Sequence, residues 1–254
     1  MIVTTPHNGQ ELQFDLRKPI DISIPLESGE GHVSAWYVDP IRITPVMTDQ
    51  FTGSVKDGGS VNFRDIYFNP HGHGTHTECV GHISREDFSV NQSVKQFFSL
   101  CRVVSIEPEQ IGEDQLITAE QIAQIDLGGI ESLCIRTLPH HHEKLTKNYS
   151  STNPPFVDSG AMEIIASSAV KHFLIDTPSV DREVDGGALA SHHVYWNYPD
   201  SPRLDRTITE MVFVPDSVAD GLYLLELQFA PFENDASPSR PVIYAKVGER
   251  GLSV

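Results

Sequence analysis

The chain has 254 residues, of which 39% are hydrophobic, so it is long enough to bury the core of one large domain. Its 35 acidic and 18 basic residues give a formal charge of −17, which argues against a general binder of nucleic acid or anionic membranes, because both need clustered Lys and Arg. Three cysteines without CxxC spacing argue against a disulfide framework and a thiolate zinc site.

The sequence also predicts a cytoplasmic location. The first ten residues lack a basic region followed by an apolar run, so no signal peptide is expected. No segment approaches the ~20 apolar residues that span a bilayer, so no membrane segment is expected either.

The first third of the chain has the alternation of apolar and polar residues that is typical of half-buried strands. It is found over residues 12–16, 20–26 and 61–68. The last of these segments leads directly into a histidine-rich stretch, which the pattern therefore places at the end of a strand.

This stretch, Asn69–His82, holds four of the twelve histidines, one carboxylate, one thiol and three glycines. His76 and Glu78 alternate, so they share one face of an extended segment, and His82 keeps the same parity. Imidazole nitrogen and carboxylate oxygen suit a divalent ion such as zinc or manganese. A pair of histidines in a glycine-rich loop is usually a solvated pair, but four of them with an acid at alternate spacing favour a metal site.

The middle of the chain alternates between strands and helices. Strands are predicted over 101–106 and 132–137, and a helix over 93–100. A further helix is predicted to start at Thr118, because Gln121 follows three residues later as in a capping box. This alternation predicts mixed α/β architecture.

A second histidine run, 140–142, is a weaker candidate for a metal site. Adjacent side chains of an extended chain point apart, so three consecutive histidines do not converge easily on one ion. The sequence predicts a solvent-exposed loop here.

The last third holds three carboxylates whose roles the local sequence leaves open. A helix over 159–169 precedes a strand over 171–176, and Asp176 and Asp181 follow at its end, where they would either contact a site or organise a turn. Glu210 interrupts an apolar run, so it is either a buried acid that needs a partner or a metal, or an acid at a strand surface or helix end. No repeat or linker divides the chain, which predicts a single domain over 1–254.

Gly74-Thr75-His76, with a carboxylate at 78 and a histidine at 82, resembles the metal-binding signature of the cyclase family, the metal-dependent hydrolases related to kynurenine formamidase and isatin hydrolase. Further segments match family landmarks in order, over about residues 15–245: 135–137, 176–181, His192, the Glu210 segment and 237–240.

The resemblance implies a swivelling β/β/α fold in one cyclase-like domain, a homodimer or larger homo-oligomer, and one or two divalent ions per chain, zinc first and manganese as the alternative. It implies that His76, Glu78, His192 and Glu210 are metal ligands and that His82 is the catalytic acid/base. Glu78 stands where the family has Asp, so its carboxylate reaches one methylene further.

The first ligand of the family pattern is displaced in this chain. The family has a histidine four residues before His76, but this position is Gly72, and His71 and His73 flank it. We prefer His71 as the ligand and keep His73 as the alternative. His193 is likewise an alternative to His192. A further departure is Val80-Gly81, where the family usually has a proline followed by another residue.

The resemblance favours a metal-dependent amidohydrolase that cleaves an arylformamide-like C–N bond of a small molecule by metal-activated water, with proton transfer by His82. The absence of a GxSxG motif argues against a serine hydrolase. Two different functions also fit the pattern: a metal- or small-molecule-binding protein without turnover, and a lactone-forming or dehydrating cyclase. Aromatic walls suit aromatic substrates, and the candidates are Trp36, Tyr37, Phe63 and Phe156, although the sequence favours a core position for each of them.

Overall fold

The structure, a computed structural model, describes residues 1–248, so positions 249–254 of the predicted 1–254 domain lie outside the described residues. The strands are β1 (Ile2–His7), β2 (Gln10–Asp15), β3 (Ile20–Asp21), β4 (Arg42–Pro45), β5 (Met47–Thr48), β6 (Phe51–Thr52), β7 (Arg64–Tyr67), β8 (His76–Glu78), β9 (Phe98–Ile106), β10 (Glu109–Ile111), β11 (Asp114–Ile117), β12 (Ser132–Thr137), β13 (Phe156–Val157), β14 (His172–Ile175), β15 (Thr207–Glu210), β16 (Gly221–Glu226), β17 (Ala236–Pro238) and β18 (Val242–Ala245). The helices are α1 (Val90–Ser93), α2 (Ala119–Ile122), α3 (Ser159–Ser167) and α4 (Ala190–Trp196), with 3-10 turns at Val80–His82 and His142–Leu145.

A nine-stranded mixed sheet organises the fold, in the order β17-β8-β15-β14-β12-β9-β16-β18-β3. Its four central strands, β15, β14, β12 and β9, are parallel, and antiparallel strands extend it on both sides. The parallel strands β12 and β14 are buried along their whole length, and each has three consecutive apolar residues, 133–135 and 173–175. The prediction of an α/β fold with a mixed sheet and flanking helices is confirmed.

Alternate residues of the central strands build two separate cores, because successive side chains point to opposite faces of a sheet. Leu133 and Phe173 pack with the helices in one core. Cys134 and Leu174, the next residue of each strand, pack in the core on the other face.

The helices cover one face of the sheet. Thr118 and Gln121 form the predicted capping box of α2, and Asp158 caps α3 through the backbone N–H of Gly160. From α4, Tyr195 and Trp196 are fully buried in the core against the sheet. The longest of these helices, α3, has nine residues, and no helix within residues 1–248 combines the length and apolarity needed to cross a bilayer.

The predicted helix over 93–100 is wrong. The short helix α1 ends at Ser93, and β9 begins at Phe98. The reason is tertiary pairing, since the first residues of β9 are held by an antiparallel ladder in which Phe98 is opposite Glu226.

The predicted exposed loop at 140–142 is only partly correct. His141 and His142 are exposed, but the side chain of His140 is only 3% exposed. Its ring centroid lies 4.7 Å from that of Phe213, and its Nδ1 lies 3.7 Å from Asp176. Packing against Phe213 therefore draws the first histidine of the run into the interior.

Candidate metal centre

Two segments that are distant in sequence meet in the sheet as neighbouring strands. Strand β8 pairs antiparallel with β15, which places His76 directly opposite Glu210. Glu78 is two residues from His76 and therefore shares its face of the sheet. All three side chains are buried. The readings of Glu210 as an acid at a strand surface or a helix end are thus wrong, because it is a buried acid with partners.

The Gly-Thr pair before His76 fixes the entry of the chain into β8. Gly74 has φ +142°, which side chains rarely adopt, so this position requires glycine. The Thr75 hydroxyl donates to the carbonyl of Met211 and accepts from the backbone N–H of Ile24. These bonds anchor the start of β8 to two separate segments of the chain.

The predicted ligand residues lie next to one another, and one ligand atom each of His71, His76 and Glu78 lies within 4.8 Å of the others. His71 Nδ1 lies 3.0 Å from Glu78 Oε2, His192 Nε2 lies 3.0 Å from Glu78 Oε1, and His76 Nε2 lies 3.4 Å from Glu210 Oε2. Ligands at tetrahedral angles around one zinc ion, each about 2.1 Å from it, are about 3.4 Å apart. The separation of His76 and Glu210 equals this spacing, and the other two separations are somewhat shorter.

Outer hydrogen bonds orient two of the imidazoles. His76 Nδ1 donates to the carbonyl of Gly74 over 2.9 Å, and His192 Nδ1 donates to Asp181 over 2.6 Å. Each Nε2 therefore faces a buried carboxylate, Glu210 for His76 and Glu78 for His192, as in metal sites whose histidines are held by an outer acceptor. His76 Nε2 and Glu78 Oε2 are buried and have no hydrogen-bond partner. Such orphaned polar atoms are costly unless they bind a ligand, so the residues fit a divalent cation.

The field at this point favours positive charge. Burial opposes the charged form of His192, but hydrogen bonds to Asp181 and Glu78 outweigh it and raise the pKa of His192 to about 10. The pKa of His71 is likewise raised to about 10, against burial, by its hydrogen bond to Asp235 and by the negative charge of the nearby Glu78. Burial would raise the pKa of Glu78, yet the facing histidines hold it well below its ordinary range. A divalent ion would compete with these protons for the same atoms.

The structure brings His71, and not His73, to the centre. His73 Nε2 donates to the carbonyl of Asp39 and its Nδ1 accepts from the backbone N–H of Asn69, both over 2.8 Å. Gly72 is packed against Val38, whose two methyl groups would lie 2.8 Å from a Cβ at position 72. Packing therefore leaves no room for a side chain at the position where the family pattern has its histidine.

Hydrogen bonds also distinguish His192 from His193, and Asp181 from Asp176. His192 faces the centre, whereas His193 Nδ1 donates to the carbonyl of Tyr198. Asp181 contacts the centre through His192. Asp176 does not contact it, because its carboxylate accepts hydrogen bonds from the backbone and hydroxyl of Thr137 and from Lys144.

His82 lies at the mouth of the centre. Its ring centroid is 4.4 Å from that of His71, its Nδ1 is 3.8 Å from Glu78 Oε2, and its side chain is 30% exposed. Asp235, which sequence reasoning missed, lies 3.4 Å from His82 Nδ1 and 2.8 Å from His71 Nε2. Burial opposes ionisation of Asp235, but its hydrogen bonds to the two histidines lower its pKa below the ordinary range.

A cavity of about 300 Å³ opens onto these residues. Of the predicted aromatic residues, Trp36 lines it, whereas the side chains of Tyr37 and Phe63 are 71% and 59% exposed. Phe156 is half-buried in β13. The cavity is lined by Trp36, Val38, Asn69, His71, His82, Ser179, Arg182, Glu183, Asp185, Leu189, His192 and Glu210.

Comparisons with known proteins show the family to which the chain belongs. The family model described as "Putative cyclase" matches residues 20–182, so the chain belongs to the Cyclase family. Kynurenine formamidase of Bacillus cytotoxicus is 27% identical over 227 residues, which are 88% of this chain and 96% of that protein.

Solved structures show the same fold. An isatin hydrolase bound to the product analogue thioisatinate has a TM-score of 0.64 at 14% identity, with 90% of this chain and 92% of that chain covered. A predicted metal-dependent hydrolase from Bacillus stearothermophilus has a TM-score of 0.60 at 17% identity, with 89% and 98% covered. At these identities the likeness concerns the fold.

Proposed function

We propose that the protein is a metal-dependent hydrolase that cleaves the C–N bond of a small arylformamide-like amide. The observation that carries this proposal is the set of close contacts among His71, His76, Glu78, His192 and Glu210 beside a cavity, where two buried polar atoms have no hydrogen-bond partner. The Bacillus cytotoxicus kynurenine formamidase supports the amide as substrate. The Trp36 side chain on the cavity wall supports an aromatic group beside it.

The five ligand candidates would hold the ion, zinc first and manganese as the alternative. When bound, such an ion acidifies a water and polarises a carbonyl. The chain's own residues supply the rest. His82, next to the centre and partly open to the cavity, accepts the proton of the attacking water and passes it to the leaving nitrogen.

The test combines metal analysis with a substrate panel. We expect one or two divalent ions per chain and turnover of an aryl formamide in preference to isatin or a lactone. Preferred turnover of the lactone would instead support a lactone-processing cyclase. Bound metal without turnover of any carbonyl substrate would contradict the hydrolase proposal and favour a binding protein.

The role of His82 has its own test. We expect His82→Ala to lower kcat by about 10²–10⁴-fold, the typical contribution of a positioned acid/base, while the metal content stays unchanged. His193→Ala is a matched control, because this histidine bonds to the Tyr198 carbonyl outside the centre. An unimpaired His82→Ala enzyme would refute proton transfer by this residue.

A further inference from the structure

Asp235 reaches the centre from a loop that is tied to it by the backbone. The residue that follows, Ala236, pairs with Glu78 across β17 and β8. The carbonyl of Asp235 accepts from the backbone N–H of Cys79 over 3.0 Å, and that of Asn234 accepts from Val90 over 2.8 Å. This loop is therefore fixed against the strand that carries the ligand candidates.

Close packing also sets the distance between Asp235 and the His82 turn. A Cβ at Gly81 would lie 3.2 Å from Asp235 Cβ and 2.2 Å from the carbonyl oxygen of Phe88. The glycine before His82 thus permits this turn to pack closely against the Phe88 backbone and the Asp235 side chain.

The hydrogen bond to Asp235 determines which nitrogen of His71 faces the centre. An ionised carboxylate only accepts hydrogen bonds, so His71 Nε2, 2.8 Å from Asp235 Oδ2, carries the hydrogen. The lone pair of a neutral His71 ring is then on Nδ1, the atom 3.0 Å from Glu78. In contrast, His76 and His192 face the centre with Nε2.

We propose that Asp235 is a positioning residue with two functions: it holds His71 in the tautomer that presents Nδ1 to the metal, and it orients His82 beside the same centre. The first function depends only on metal binding by His71. The second rests on the proposed hydrolase activity. Loss of such an outer carboxylate typically changes metal affinity or activity by about 10–100-fold, so the functions towards His71 and His82 both have measurable consequences.

The first arm of the test measures zinc itself. We expect Asp235→Ala to weaken Zn²⁺ binding about 10–100-fold in competition with a chromophoric chelator, and Asp235→Asn to recover part of the loss, because its amide oxygen still accepts from Nε2. In ¹⁵N NMR of the zinc-loaded wild-type protein, His71 should be protonated at Nε2 and metal-bound at Nδ1. The Asp235→Ala protein should lose this signature.

Glu233→Gln is the matched control. Glu233 lies in the same loop but bonds to Asn91 and Gln92, so its variant should keep wild-type zinc affinity and kcat. The second arm uses saturating zinc, where Asp235→Ala should lower kcat more than it raises KM, because His82 is misplaced while the cavity is intact.

Three results would overturn the proposal. Unchanged zinc affinity and NMR signature in Asp235→Ala would make Asp235 a bystander for His71. Loss of one zinc equivalent, with a second bound normally, would make it a direct ligand. An unchanged kcat at saturating zinc would remove its function towards His82. If the wild-type protein turns over no substrate, the hydrolase proposal fails, while the affinity and NMR results still decide the function towards His71.

Discussion

Asp181 contacts both the first turn of α4 and the candidate metal centre, so Asp181→Ala should affect both the stability and the metal affinity of the protein. Its carboxylate accepts from the backbone N–H groups of Ser191 and His192, over 2.8 and 3.1 Å, in the first turn of the helix. It also accepts from His192 Nδ1 over 2.6 Å. The variant therefore loses a helix-capping interaction and the group that orients a ligand ring.

The two losses have different expected magnitudes. Removal of a capping carboxylate costs about 1 kcal/mol of the free energy of unfolding. Loss of the outer partner of a ligating histidine weakens metal affinity by about 10–100-fold. That change in affinity corresponds to about 1.4–2.8 kcal/mol of binding free energy. In the presence of chelator, the free energy of unfolding should therefore decrease modestly. The free energy of zinc binding should decrease by a larger amount.

Asp158→Ala provides the comparison. Asp158 caps α3 through the N–H of Gly160 and has no contact with the centre among the described residues, so this variant should lose similar stability and no zinc affinity. Denaturant unfolding in the presence of chelator measures the first quantity, and chelator competition measures the second. Equal zinc affinities of the two variants would refute the reasoning that Asp181 orients a ligand.

Three further predictions concern the centre and the core. His71→Asn should abolish tight zinc binding, whereas His73→Asn should retain it; zinc titration of both variants checks this, and the opposite result would restore His73 as the ligand. Burial lowers the pKa of His172 to about 4, so the unfolded chain takes up this proton below an ordinary pKa of ~6.5, while the folded protein does so only near 4. This contribution to stability is thus complete above pH ~6.5 and is lost as the pH falls, by about 2 kcal/mol between pH 7 and 5. In His172→Gln, the free energy of unfolding should therefore depend less on pH over this range. Equal pH dependence of the two proteins in denaturant unfolding would contradict this prediction. Phe173→Ala should lower the free energy of unfolding by about 3–5 kcal/mol, because it leaves a cavity in the fully buried core against the helices; a loss below about 1 kcal/mol would be inconsistent with that packing.

The sequence was sufficient where the signal is local. His76 and Glu78 are two residues apart in a strand, so their alternation alone places them on one face. The capping box of α2 likewise depends on two residues three positions apart, and it is present. The strands β12 and β14 are recognisable because each has a run of three apolar residues, which is typical of parallel strands that are buried on both faces.

Where a role depends on tertiary pairing, sequence reasoning was insufficient. Glu210 could not be assigned from its own segment, because its burial follows from the pairing of β15 with β8. The bond between Asp235 and His71 joins residues 164 positions apart, and neither residue shows it locally. The only sequence signal for Asp235 is its position two residues before the segment 237–240, which matches a landmark of the family.

The packing around Gly72 accounts for the displacement, by one residue, of the histidine that faces Glu78. Val38 fills the space that a side chain at position 72 would need. The neighbouring His71 approaches Glu78 through Nδ1, which is closer to the histidine backbone than Nε2 is. The opposing carboxylate, Glu78, is one methylene longer than Asp. The shorter reach of His71 through Nδ1 thus accompanies the longer reach of the Glu78 side chain. Changing Glu78 alone to Asp would therefore move its carboxylate away from His71. When such centres are redesigned, residues 71 and 78 are best changed together.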